Sequence, residues 1–248
     1  MSPIQFAAVA FVCIIASAIA GALLRSRLPE HHVSGDSKDV IKLSIALVAT
    51  MSALVLALLF ASTRTSFERT SGLVSRLTAD ISELDRVLKH YGPEAQPIRT
   101  ALRAEIQPMI DSIWREEAAN RGTGSDEAKT PEEEVLFMLQ DLQPANSKQR
   151  ALQARAIQVS SDLAQTQLAL FAQPTDSISN TFLVVLILWL MFIFGIFSMT
   201  SPPNPTLFVV MALCILSASA AFYLILELGL PFGGLMQLSN EPLRNALK

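Results

Sequence analysis

Residues 41–93 read IKLSIALVATMSALVLALLFASTRTSFERTSGLVSRLTADISELDRVLKHYGP and change character once, near Ser62. From Ile41 to Ser62 the single formal charge is Lys42, at the edge, where a long side chain can snorkel to lipid headgroups. Twenty-two such residues, rising about 1.5 Å each, suffice to cross a hydrocarbon core of about 30 Å. Past Ser62 the apolar residues take up a one-sided helical period. Leu73, Leu77, Ile81, Leu84 and Leu88 are spaced by four, four, three and four, with Arg76, Asp80, Glu83 and Arg86 on the other positions. No breaker separates the two patterns, so the reading predicts one helix that leaves the membrane and continues until Tyr91, Gly92 and Pro93 stop it.

The same contrast recurs along the chain. A mean hydropathy of +0.40 with 51% hydrophobic residues in 248 is unusual for a soluble protein, and most of the charge falls between Thr63 and Ser179. Ile4 to Leu24 gives twenty-one residues without a charge, the first span. Ala16, Ser17 and Ala18 resemble a signal-peptide cleavage site, but no Lys or Arg precedes the apolar run, which favours a retained helix. Phe182 to Met199 makes the third span and Thr206 to Leu226 the fourth, joined by Ser201, Pro202, Pro203, Asn204 and Pro205 as a tight hairpin. The expected fold is all-α: four transmembrane helices with a helical-bundle extramembrane domain inserted between the second and third spans. Residues 1–62 form the first helix pair, 63–179 the domain, and 180–248 the second pair with a short C-terminal tail.

Inside the domain a second helix is expected from about Pro97 to Trp114. Arg115 to Thr130 is polar, contains Gly122 and Gly124 and has no apolar period, the pattern of a mobile loop. Thr130, Pro131 and Glu133 match a capping box that restarts a helix, and Glu132 to Glu134 suit its positive end, with a calcium site as the weaker reading. From Lys148 to Phe171, Leu152, Ala156, Val159, Leu163, Thr166 and Leu170 fall at a/d-like spacing along a long packed helix.

Helices in lipid associate through close backbone approach at small residues. Ala49, Ala53, Ala57 and Ala61 recur every four residues in the second span, Ser17 and Gly21 form a small-xxx-small pair in the first, and Ser217 and Ala221 repeat it in the fourth. Such seams serve contacts within a chain or between chains. No Asp, Glu, Arg or His stands at the centre of a span, which weakens an active-transporter reading. A passive pore remains compatible, with Ser44, Thr50 and Ser52 as lining hydroxyls. The plainer reading is that these hydroxyls bond their own helix carbonyls.

A net charge of −3 gives no basic field for nucleic acid. The two cysteines, Cys13 and Cys214, sit in apolar blocks without metal or disulfide spacing, and no cofactor signature is present. An enzyme is the weakest reading, since no Ser/His/Asp order, HExxH, Gly-rich phosphate loop or paired intramembrane carboxylate is found.

Three patches carry a family likeness: Leu28-Pro29-Glu30-His31-His32 with Asp36-Ser37-Lys38-Asp39-Val40-Ile41-Lys42; His90-Tyr91-Gly92-Pro93-Glu94-Ala95; and Pro231-Phe232-Gly233-Gly234 with Glu241-Pro242-Leu243-Arg244. In order and over nearly the whole chain they resemble the bestrophin-like domain-of-unknown-function family of bacterial integral membrane proteins. The chain departs from that pattern at Gly229, where an acidic residue is expected ahead of the Pro-Phe pair. The likeness to bestrophins implies an oligomeric anion channel with the second span lining the pore. The aromatic neck and acidic calcium clasp of bestrophins have no counterpart here. Taken alone, His31 and His32 with Asp36 and Asp39 form a polar loop suited to metal, headgroup or gating contacts, and more simply to capping the second span through Asp36 or Ser37. Tyr91-Gly92-Pro93 reads chiefly as a turn, and Pro231, Phe232 and Gly234 as a stop to the fourth span.

Arg25, Arg27, Lys38 and Lys42 lie in the first loop and none in the N-terminal tail, which places that loop in the cytoplasm and the 63–179 domain in the periplasm of a bacterial inner membrane. Arg64, Arg69 and Arg76 argue for the reverse. The functional expectation is a non-enzymatic multi-pass protein in the lipid bilayer, a homo-oligomer passing ions passively. The alternative is a membrane-anchored scaffold or sensor whose domain binds a protein or ligand.

Overall fold

The computed structural model describes residues 3–25, 27, 36–119, 132–172, 180–201 and 204–246. Among the described residues the regular structure is entirely helical: α1 (Pro3–Arg25), α2 (Asp36–Tyr91), a short 3-10 turn (Pro93–Ala95), α3 (Gln96–Ala119), α4 (Glu132–Gln140), α5 (Ser147–Phe171), α6 (Asn180–Thr200), α7 (Pro205–Leu228) and α8 (Glu241–Asn245). The expected continuity past Ser62 is present, since α2 is one helix of 56 residues. Four helices, α1, α2, α6 and α7, are long and apolar enough to cross a membrane. The chain divides into two compact units, 1–66 with 176–229 and 67–175 with 230–248.

In the first unit the four long helices meet at Ala10, Leu183, Leu186 and Phe222, with Phe6, Val55, Leu56, Leu59 and Leu226 packed around them. Here α1 and α6 run parallel. Ser17 Oγ donates to the Met191 carbonyl at 2.6 Å and Arg25 Nη1 to that of Met199 at 3.5 Å, both at a sequence separation of 174. Between these two bonds a methyl on Gly21 would collide with the Gly195 carbonyl, so the helices touch backbone to backbone. At the start of α7, Asn204 caps the helix by accepting from the Thr206 N–H at 3.1 Å, and Pro205 occupies the first turn, where its missing donor costs nothing.

The second unit packs as a helical bundle around one apolar core. The expected stripe of α2 is its spine: Leu77, Ile81, Leu84 and Leu88 are buried against Ile98, Leu102, Ile106 and Ile110 of α3, Leu139 of α4 and Val159 and Leu163 of α5. Leu243 of α8 joins the same core. Charged pairs tie the helices at the rim: the Arg99 guanidinium grips Asp85 with two bonds of 2.9 and 3.0 Å, and Arg155 holds Glu83 at 2.6 Å. The Gln153 amide donates to the carbonyls of Leu139 and Leu142 at 2.9 and 2.8 Å, closing the end of α4.

The largest difference from an expected helix boundary is in α3. α3 continues to Ala119 rather than ending at Trp114. Arg115, Glu116, Glu117, Ala118 and Ala119 are strong helix formers, so propensity carries the helix past the last apolar contact. The remainder of the 115–130 loop, and the Thr130-Pro131 cap, lie outside the described residues.

Candidate functional site

Within α2 the three hydroxyls proposed for a pore do not share a face. At about 100° per residue, Thr50 falls on the line of Ala49, Ala53, Ala57 and Ala61, whereas Ser44 and Ser52 lie well round the helix from it. The burial pattern agrees: Ile45, Ser52 and Thr63 are buried on the packed face, while Thr50, Ala53, Ala57 and Ala61 are exposed and Ala49 is half-buried. Ser44 is exposed as well. Each hydroxyl donates to its own helix four residues back, Ser44 to Val40 at 2.9 Å, Thr50 to Ala46 at 2.8 Å and Ser52 to Val48 at 2.8 Å. That leaves oxygen lone pairs facing outward and no free donor in this rotamer.

The small-residue seams therefore meet different fates. The Ser17-Gly21 seam of α1 is filled by Gly195 and the Met191 carbonyl. The alanine seam of α2 is not covered within the chain.

Of the loop patches, His31 and His32 lie outside the described residues. Asp36 opens α2 and Lys38 sits in its first turn. Asp39 pairs with Lys42 at 3.2 Å across one turn, an exposed contact of little energetic weight. The Tyr91 patch is a structural turn. Gly92 has φ 128, a left-handed conformation that strains any residue with a Cβ, and Pro93 opens the 3-10 turn after it. Gln149 Nε2 donates to the Tyr91 carbonyl at 3.2 Å, and the Tyr91 ring is buried in the bundle core. Phe232 stacks edge-on against Trp114 at 5.1 Å between ring centres, and Trp114 Nε1 donates to the Leu238 carbonyl at 3.2 Å. Gly234 has φ 90. The Tyr91 and Phe232 patches thus meet their partners inside the second unit, and Pro231 lies with them in the turn that follows α7.

Glu227 lies just beyond Leu226, where the apolar run of the fourth span ends, so the run does not mark it. α7 runs on to Leu228, and Glu227 in its last turn is only 3% exposed. The Tyr223 hydroxyl one turn back donates to its carboxylate. The legible signal was the four-residue spacing of Ser219, Tyr223 and Glu227, which puts three hydrogen-bonding groups on one face of an otherwise apolar helix. In the bundle, Asp80 is the perturbed carboxylate. Burial pushes its pKa up, Arg76 opposes that, Asp162 and Glu83 add to it, and Arg155 opposes it. Its Oδ2 has no hydrogen bond, and the Arg76 Nε lies 3.9 Å away, too long for one. Arg99 is shifted upward by its bond to Asp85. No group of three or more His, Cys, Asp or Glu that could hold a metal occurs among the described residues.

Comparison with known families finds a bestrophin-like domain over residues 12–243. The chain belongs to the bestrophin-like family. All three loop patches reach into that match, and so do all four membrane-length helices of this bestrophin-like chain. No curated protein and no solved structure matches it.

Proposed function

We propose that this bestrophin-like protein is a homo-oligomer that conducts ions passively, with the Thr50-Ala53-Ala57-Ala61 face of α2 at the pore or at the contact between copies. The observation that carries the reading is the uncovered alanine seam beside a covered one on α1. Small residues let helices or hydrated ions approach closely, and a face of this kind turned only to lipid gains nothing from being small. The spans hold no exposed charge near their centres, which suits passive conduction better than coupled transport. Because the Thr50 proton is directed to Ala46, the oxygen it offers favours cations, and anion passage requires the hydroxyl to turn. The host is a bacterial inner membrane, and the second unit is an extramembrane domain on its periplasmic side.

Planar-bilayer recording of purified protein, combined with native mass spectrometry, tests this. Currents should appear with an oligomer, and Ala57→Trp should abolish both. Silent bilayers under anion and cation gradients together with a monomeric mass sink the proposal. A scaffold or sensor is the second reading, favoured by Phe137 and Leu168, which are 60% and 73% exposed on the second unit. A stoichiometric partner that co-purifies and is lost with Leu168→Glu would move the balance to it.

A further inference from the structure

We propose that the loop after α7 carries a membrane-interface anchor whose tip, Leu235 and Met236, sits in the lipid headgroup layer. No charged residue occurs between Glu227 and Glu241, an uncharged stretch that ends the fourth membrane-length helix and continues past it. The stretch is folded back on itself rather than running out into water. The Gly233 N–H donates to the Leu230 carbonyl at 3.2 Å, and the Leu238 N–H to the Pro231 carbonyl at 2.7 Å, closing a compact loop. Its two ends are pinned to Trp114, through the Phe232 ring and the Leu238 carbonyl.

The tip points the other way. Gly234 adopts φ 90, a conformation that side chains resist, and directly after it Leu235 is 82% exposed and Met236 46% exposed. A fixed loop that uses a left-handed glycine to turn a leucine outward, within a stretch that carries no charge of its own, fits an apolar or interfacial surrounding. The occupant follows from continuity along the chain. Leu235 comes seven residues after Leu228, the last residue of a helix long and apolar enough to cross a membrane, and the loop closes within that distance, so, with α7 read as a span, the bilayer surface is the apolar phase within reach.

The test uses full-length protein with Cys13→Ala and Cys214→Ala, in which Leu235→Cys carries an environment-sensitive fluorophore. The labelled protein is placed in phosphatidylcholine nanodiscs with or without lipids bearing a nitroxide at the headgroup. The emission should shift to the blue, and the headgroup nitroxide should quench it by about twofold or more while aqueous iodide has little effect. Ser147→Cys, labelled alike at the start of α5, is the reference for a water-exposed site, where iodide quenches and the nitroxide does not. Should the Leu235 label behave like the Ser147 label, the anchor does not exist. A Leu235 label shielded from both quenchers also overturns it, since protein then covers the tip. If the cysteine-free chain does not fold, Leu235→Trp in the otherwise natural sequence, read as extra quenching by brominated lipid over the Trp114 and Trp189 background, decides the same question, with no extra quenching counting against the anchor.

Discussion

The two units solve the same packing problem but differ in what they leave on the outside. In the bundle the buried positions are Leu77, Ile81, Leu84 and Leu88, while Glu83, Asp85, Arg99 and Arg155 work at the rim. In the unit of membrane-length helices large apolar residues lie on both sides, Leu183, Leu186 and Phe222 buried and Leu54, Leu58, Val12 and Phe192 exposed, and small or hydroxyl-bearing residues such as Ala10, Gly21, Ser52, Thr63 and Ser219 share the interior. The difference teaches what holds each unit together. Apolar burial drives the bundle, whereas in lipid, where leaving the solvent gains nothing, close contact and hydrogen bonds carry the association.

The sharpest way to break this comparison is to delete the same side chain in each unit. Leu84→Ala should destabilise the bundle by about 2–5 kcal/mol. Leu54→Ala, on an exposed position of α2, should change stability by less than about 0.5 kcal/mol. Denaturation of the detergent-solubilised chain followed by circular dichroism measures both, and equal effects would contradict the assignment of Leu84 to a core and Leu54 to an exposed face. A smaller contrast uses glycines. Gly21→Ala forces α1 off the Gly195 carbonyl and should cost about 1–3 kcal/mol. Gly72→Ala, with open space around its Cβ on an exposed stretch of α2, should stabilise by about 0.5–1 kcal/mol. Thermal midpoints of the two variants should move in opposite directions.

The smallest effect concerns Asp80, raised chiefly by burial. A carboxyl whose folded pKa lies above its unfolded value supports the fold fully below the unfolded carboxylate range and loses that support as pH rises through the folded pKa. Asp80→Asn, neutral throughout, should therefore match the natural chain in acid and become the more stable of the two as pH rises toward neutrality. A pH series of unfolding midpoints checks the sign, and a gap that widens on acidification would refute it.

Much of the architecture was legible because the two halves of α2 follow different apolar patterns. The switch near Ser62, the stripe from Leu73 to Leu88 and the stop at Tyr91-Gly92-Pro93 each rest on local chemistry that the chain states directly. Partners were not legible. Nothing local says that Ser17 and Gly21 meet α6, or that the Phe232 loop docks on Trp114, because those pairings depend on packing over long separations. Burial of Glu227 was hidden because the apolar run ends at Leu226, two residues before α7 does, a place where composition is least informative. The hydroxyls of α2 carried the right types without the right phase, and only Thr50 shares the alanine line.

The pairing of α1 with α6 also has a consequence for how the protein is made. Its defining bonds join residues 174 apart, so at about 5–20 residues per second the first span waits roughly 9–35 s for its partner to emerge. During that interval Ser17 and Gly21 face lipid or a chaperone. A chain halted before α6 would keep this surface open, a ready signal by which quality control can tell an unfinished copy from a finished one.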